Sequence, residues 1–303
     1  MFHTLLNKLQ NDTYITLETT PGHSPQFTPT VDKIEALGLQ HLVDGFSTTD
    51  NPLAKLKYNA LFAAKILQER FNKPVIATMS MRDRNKIALQ SDLLGANEVD
   101  IRAILALTGD PATISDQPNT KGVFEADSSL LLQIISAFNS GMSYAGKPFA
   151  HKPKEIYPFA VVNSFAKNPK TLQKKMQKKI INGALGIITQ PVYDIENAKL
   201  LLEIRDAANQ ACNAQAKNSE LILGLFPITK LRTAQFLSAH VPGIHVPPSW
   251  IEALRIANER GPEEEYKVGF ELSKNLFDDL KELHPKLHLM TANQFQLAHD
   301  ILK

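Results

Sequence analysis

With 303 residues, 43% hydrophobic and 21% charged, the chain has the composition of a folded protein with room for one large α/β domain or two smaller ones. A formal net charge of +2 gives no support for nucleic acid or an anionic membrane as the main partner. The lone Cys212 excludes an internal disulfide and fits a reducing, cytoplasmic setting.

Residues 1–12 open the chain with apolar side chains at helical spacing: Phe2, Leu5, Leu6 and Leu9. Polar residues interrupt them, so the continuous apolar core of a signal peptide is missing. No later stretch approaches the ~20 apolar residues of a membrane span. The opening helix is expected to cover a barrel bottom or to pack on a neighbour.

Strand-like runs then alternate with amphipathic helical runs, the pattern of parallel βα units. Strands are expected at 14–18, 41–46, 74–79, 102–108, 157–162, 185–189, 221–226 and 286–290. Helices are expected at 29–37, 52–70, 84–98, 128–141, 168–182, 195–216, 230–239 and 291–302, with two more at 248–260 and 262–283. Val75-Ile76-Ala77 and Leu185-Gly186-Ile187-Ile188 are apolar without alternation, as strands covered on both faces should be. Asp83 and Asn168 are read as helix caps, and Gly183 as a left-handed stop. Eight units in this length point to a single-domain (β/α)8 barrel over 1–303; a doubly wound sheet is the alternative, since no pattern in the sequence shows ring closure.

Three expected strands end in a polar side chain: Glu18, Asp110 and Gln190. In a barrel their ends meet at the C-terminal mouth, where active sites are built. A carboxyl group there can act as a general acid, a second carboxylate can stabilise positive charge, and an amide offers a paired donor and acceptor. The bland readings are a strand-end cap, an Asx turn and a loop glutamine. Gly109 would let backbone approach a ligand closely. Arg82 and Arg84 are read as an anion site or as solvated arginines at a helix start. Of the lysines in 167–179, only Lys179 is singled out. The histidines lack metal-ligand spacing, and the dinucleotide, P-loop and nucleophile-elbow motifs are absent.

Further ordered pieces join these residues: Asp44-Gly45-Phe46-Ser47-Thr48-Thr49-Asp50, Arg82-Asp83-Arg84-Asn85, Leu107-Thr108-Gly109-Asp110-Pro111, and Val123-Phe124-Glu125-Ala126-Asp127. Then come Asn182-Gly183-Ala184, Ile188-Thr189-Gln190-Pro191-Val192-Tyr193-Asp194, Val241-Pro242-Gly243-Ile244 and His288-Leu289-Met290-Thr291. In that order they resemble the methylenetetrahydrofolate reductase family across nearly the whole chain. The resemblance implies a flavin, FAD or FMN, reduced by NADH or NADPH, and a folate substrate. By the same resemblance Glu18 is the acid that opens the folate ring, Asp110 the carboxylate beside flavin and pterin, and Gln190 the amide that orients the pterin. Flavin contacts would fall on Thr49, Thr78, Leu107, Thr108, Gly109, Asp110, Phe124, Asp127, Asn163 and Lys179. Tyr193, Thr233, Leu237 and Gln294 would face the folate.

The chain departs from the family pattern where Thr78 replaces a histidine, Phe124 a tyrosine, Thr233 a glutamine, Leu237 a phenylalanine and Gln294 an arginine. A homo-oligomer is expected, with a methyltransferase or redox partner subunit as an option. Another iminium or pterin substrate and a partner-dependent subunit are the competing functions.

Overall fold

Runs that are apolar on both faces become strands here, and the runs interrupted by polar residues become the helices that cover them. In the computed structural model, which describes residues 1–303, the strands are β1 (Tyr14–Thr19), β2 (Gly45–Thr48), β3 (Val75–Ser80), β4 (Ala103–Leu107), β5 (Tyr157–Val162), β6 (Gly186–Pro191), β7 (Glu220–Leu225) and β8 (Lys286–Leu289). They pair in parallel in chain order, and β1 closes the ring on β8 with Tyr14 opposite Lys286 and Leu17 opposite Leu289. Parallel neighbours need long crossovers. These are α2 (Thr28–Ala36), α3 (Ala60–Phe71), α4 (Lys86–Glu98), α5 (Ser128–Asn139), α6 (Pro169–Ile181) and α7 (Ile195–Cys212). Between β7 and β8 lie α8 (Leu231–His240), α9 (Pro248–Glu259) and α10 (Pro262–Leu283), and α11 (Phe295–Leu302) ends the chain. The fold is a (β/α)8 barrel, and no helix is long and apolar enough to cross a membrane.

Alternation along each strand sorts its side chains into two separate apolar clusters. Outward residues such as Leu17, Val75, Ile104, Ile187, Leu223 and Leu289 pack under the helices in the larger cluster. Inward residues Tyr14, Ile76, Leu105, Tyr157, Phe159, Ile188 and Ile222 form the smaller one. Phe2, Leu5 and Leu9 of α1 (Phe2–Asn11) belong to that inner cluster. The opening helix is therefore the barrel's bottom plug, with Phe2 stacked on Tyr157 at 5.2 Å and the Arg102 guanidinium over Phe2 at 4.2 Å. Gly186 makes space for this interior: a Cβ there would sit 2.7 Å from the Phe159 ring.

Three sequence-based boundaries shift for local reasons. Residues 39–41 form a 3-10 turn, so β2 starts at Gly45 and Asp44 instead accepts the Ile15 N–H at 2.8 Å. The helix expected from 52 starts at Ala60, because Asn51, Leu53 and Ala54 take positive φ and Asn59 accepts from Leu61 and Phe62 N–H. The helix expected from 291 starts at Phe295, because Ala292 and Asn293 are left-handed. Asn168 caps α6 as expected, and Gly183 beyond it has φ +87°. Asp83 does not cap α4; Asn85 does, accepting from Ile87 and Ala88 N–H.

Since Leu9 is fully buried in the plug and Asn7 is exposed, Leu9→Ala should lower stability by about 2–5 kcal/mol, while Asn7→Ala should stay within about 0.5 kcal/mol. Urea unfolding followed by circular dichroism checks the pair.

Candidate active site

The inner side chains at the C-terminal ends of the strands do not fill the barrel, because several are polar. Glu18 of β1, Thr78 of β3, Leu107 of β4, Gln190 of β6 and His288 of β8 line one cavity of about 190 Å³, together with Thr49, Arg82, Gly109 and Asp110 from the loops. A second cavity of about 410 Å³ shares Leu107, Gly109, Asp110 and Gln190 with the first. It continues over Thr108, Asp127, Ser128, Asn163, Lys175, Lys178 and Lys179. The largest concavity, about 610 Å³, opens at the opposite end among Gln10, Tyr157 and Asn218. None of the buried unpartnered polar side chains lines it, and barrels carry chemistry at the mouth rather than there.

Glu18 has a partner that the sequence did not reveal. His288 is 3% exposed, with Nε2 3.8 Å from Glu18 Oε2 and Nδ1 2.7 Å from Thr16 Oγ1. The threonine hydroxyl also lies 3.4 Å from the Leu287 carbonyl. Its single proton has two destinations. If it goes to Nδ1, the neutral ring carries its own proton on Nε2 and faces a Glu18 carboxylate. If it goes to Leu287, Nδ1–H donates to Thr16, and the bare Nε2 suits a protonated Glu18. Thr16 and His288 thus let a neutral ring offer Glu18 either a donor or an acceptor.

Asp110 ends the β4 turn, and its Oδ2 accepts the Leu53 N–H at 2.7 Å, which holds the left-handed 51–54 loop across the mouth. Gly109, at φ +94°, also meets a packing constraint: a Cβ would lie 3.0 Å from Arg82 Cβ and 3.2 Å from Ser80 Cβ. The two arginines are neither solvated nor free. Arg82 is 2% exposed, forks onto Asp83 at 2.7 and 2.6 Å and donates to the Asn51 carbonyl at 3.0 Å. Arg84 donates to buried Asp50 at 2.6 Å and to Asp92 at 2.8 Å. The Asp83 hydrogen bond drives the Arg82 pKa up, and Asp50 and Asp92 raise that of Arg84 against the opposing pull of burial.

Gln190 sits in a β-bulge. Pairing runs regularly to Ile188 opposite Ile222 and resumes at Pro191 opposite Gly224, one residue late on β6. The second cavity carries the cations. Lys179 donates to Ser128 Oγ at 2.5 Å, Lys178 pairs with Asp127 at 2.5 Å, and Lys175 donates to Asn163 Oδ1 at 3.3 Å. Burial lowers the Lys179 pKa, and Lys178 and Lys175 push the same way. Burial would raise the Asp127 carboxyl, but Lys178 and the Ser129 N–H outweigh it and hold it at about 2.

Of the residues singled out in the sequence, Glu18, Thr49, Thr78, Leu107, Thr108, Gly109, Asp110, Asp127, Asn163, Gln190 and Lys179 line one or both cavities. Phe124, Tyr193, Thr233, Leu237 and Gln294 line neither. Tyr193 is buried core, with its hydroxyl on the Phe226 carbonyl at 2.8 Å and its ring edge-on to Trp250. Gln294 and Phe124 are exposed, and Leu237 packs on the outer cluster. His288, Ser128, Lys175 and Lys178 are among the other residues of the lining.

Fold and site together define a (β/α)8 barrel with two carboxyl side chains and an amide converging at its C-terminal mouth. The family model described as methylenetetrahydrofolate reductase matches residues 2–303, and the chain belongs to that family. No curated protein matches it. Among solved structures, an uncharacterized protein from Clostridium thermocellum that binds two copies of 5-methyl-5,6,7,8-tetrahydrofolic acid is 18% identical, with a TM-score of 0.62 over 98% of each chain. DmoA from Hyphomicrobium sulfonivorans is 9% identical, with a TM-score of 0.54 over 95% of this chain and 85% of the other. At these identities the likeness speaks for the fold alone.

Two outcomes follow from the geometry. Asp110→Asn keeps an acceptor for Leu53 N–H and Asp110→Ala does not, so amide exchange at 51–54 should accelerate only in the alanine variant. Asp127 should titrate by NMR near 2 and move back toward 3.8 in Lys178→Met. Its pKa is depressed, so its contribution to stability is present above pH 3.8 and fades as pH falls through about 2.

Proposed function

We propose that this protein is a flavin-dependent reductase that converts 5,10-methylenetetrahydrofolate to 5-methyltetrahydrofolate with NADH or NADPH as electron donor. The observation that carries the reading is the meeting of Glu18, Asp110 and Gln190 in one cavity, with His288 behind Glu18, in a chain of this family. The residues fit a flavin. Thr49 Oγ1 lines the mouth buried and without a partner, and Leu107 and Gly109 line both cavities, with Thr108 in the second. Lys175, Lys178 and Lys179 suit the phosphoryl groups of FAD or FMN. When bound, the flavin supplies the hydride chemistry.

The chain's own part is proton transfer and electrostatics. Glu18 gives its proton to the folate amine nitrogen as the carbon–nitrogen bond of the five-membered ring breaks, leaving an iminium cation on the substrate. Reprotonation of Glu18 is coupled to the His288 tautomer and the Thr16 rotor. Asp110 places fixed negative charge beside that cation, and Gln190 orients the pterin. Thr233, Leu237 and Gln294, carried over as folate contacts, line neither cavity. That favours, as a second reading, a flavin reductase for an iminium substrate lacking the folate tail.

The purified protein should be yellow, bleach with NAD(P)H and recolour with methylenetetrahydrofolate. Glu18→Gln should slow recolouring by roughly 10²–10⁴-fold and leave bleaching unchanged. A colourless protein that takes up neither FAD nor FMN would remove the reading. Recolouring by a tail-less pterin as efficiently as by folate would select the second one.

A further inference from the structure

We propose that the 241–244 segment is a strap that locks the Gln190 amide with its nitrogen turned out of the cavity, so that the site selects ligands offering an N–H donor. The inference rests on the folate reading of the mouth. Its basis is the hydrogen-bond inventory around β5 and β6.

Gln190 lies beside two backbone carbonyls, and only one orientation of its amide is satisfied. With Nε2 on that side it donates to Pro242 O and Gly243 O, each at 3.2 Å; turned over, Oε1 would face the same two acceptors. Both amide hydrogens are thereby engaged. What remains for the cavity is the carbonyl oxygen, an acceptor. The sequence suggested a paired donor and acceptor at this position. The strap reduces it to one function.

The strap itself is pinned from β5. Buried Ser164 donates to Pro191 O at 2.6 Å and lies 3.2 Å from Gly243 O, so it joins the residue after Gln190 to the strap. Phe165 N–H donates to Gly243 O at 2.9 Å, Asn163 Nδ2 lies 3.4 Å from Pro242 O, and Phe165 stacks on His245 at 4.9 Å. Gly243 has φ +85°, and a Cβ there would lie 1.8 Å from Asn163 Nδ2. The seat therefore requires glycine on two independent grounds. Asn163 also accepts from Lys175 in the second cavity, so one asparagine ties the strap to both parts of the site.

A ligand edge that offers N–H to Gln190 Oε1 completes this arrangement, as the lactam nitrogen or 2-amino group of a pterin does. An edge that offers only acceptors faces a like dipole and leaves the amide oxygen unpaired, the situation that gives polar sites their discrimination.

The test measures dissociation constants of 5-methyltetrahydrofolate and of its lactam N-methylated analogue by titration calorimetry, in wild type, Ser164→Ala and Gly243→Ala. Wild type should prefer the unmethylated ligand by at least about tenfold. The bulk of the extra methyl penalises every protein alike, so the change in ratio is the readout. In both variants the strap is loosened and the ratio should fall severalfold, and in Ser164→Ala the flavin spectrum should stay unchanged. Ser164→Ala, a single-atom deletion, decides the matter if Gly243→Ala does not fold. Folate binding with the same ratio in wild type and Ser164→Ala overturns the strap's role alone. Absence of folate binding in flavin-loaded wild type overturns the folate reading, and the inference with it.

Discussion

Each strand of a closed parallel barrel is hydrogen-bonded on both edges, so no strand can slide without dragging its neighbours. That constraint fixes the depth of every inward side chain. Here it is reinforced by two apolar populations that cannot be exchanged: outward residues that need the helices and inward residues that need the plug and one another. A slip of one residue in β1 would bring Leu17 inward and send Glu18 under the helices. The position of Glu18 is thus set by the register of the whole ring, including the β1–β8 pairing that joins residues 272 apart in the chain.

Above the inner cluster the structure turns from apolar packing to directed polar contacts. Asp50, Arg84 and Asp92 form a mostly buried ion network next to Arg82–Asp83, and Asp50 also accepts the Ser80 N–H at 2.9 Å. Removing one member of such a network leaves a buried charge without its partner, which costs about 3–5 kcal/mol. These charges tie together the β2–β3 side of the mouth. On the β5–β6 side the same task falls to neutral groups: a serine, an asparagine, a glycine and backbone carbonyls. Between the two sides lie Glu18 and His288, whose contacts allow more than one placement of a proton.

Much of this was legible in the sequence. β3 and β6 announce themselves by runs without alternation, because burial on both faces leaves no polar position to alternate with. Glu18, Asp110 and Gln190 stand out as polar residues at the ends of such runs, and one cavity receives all three. What escaped depends on contacts between distant segments. His288 reads as a histidine near Pro285 until β8 is laid beside β1. Arg82 and Arg84 read as solvated because Asp50 and Asp92 belong to other segments. Asp83 sits where a helix cap should be, yet bonds sideways to its neighbour. The left-handed residues at 51–54 and 292–293 include Leu and Ala, which carry no local signal for that conformation.

The plug at the barrel floor has a consequence for how the chain assembles. Phe2, Leu5 and Leu9 precede every strand in the chain, yet their seat is lined by Ile76, Leu105, Tyr157, Ile188 and Ile222. The plug helix cannot be covered until the segment that carries Ile222 is in place. Long-range docking of this kind slows folding and leaves sticky surface exposed meanwhile.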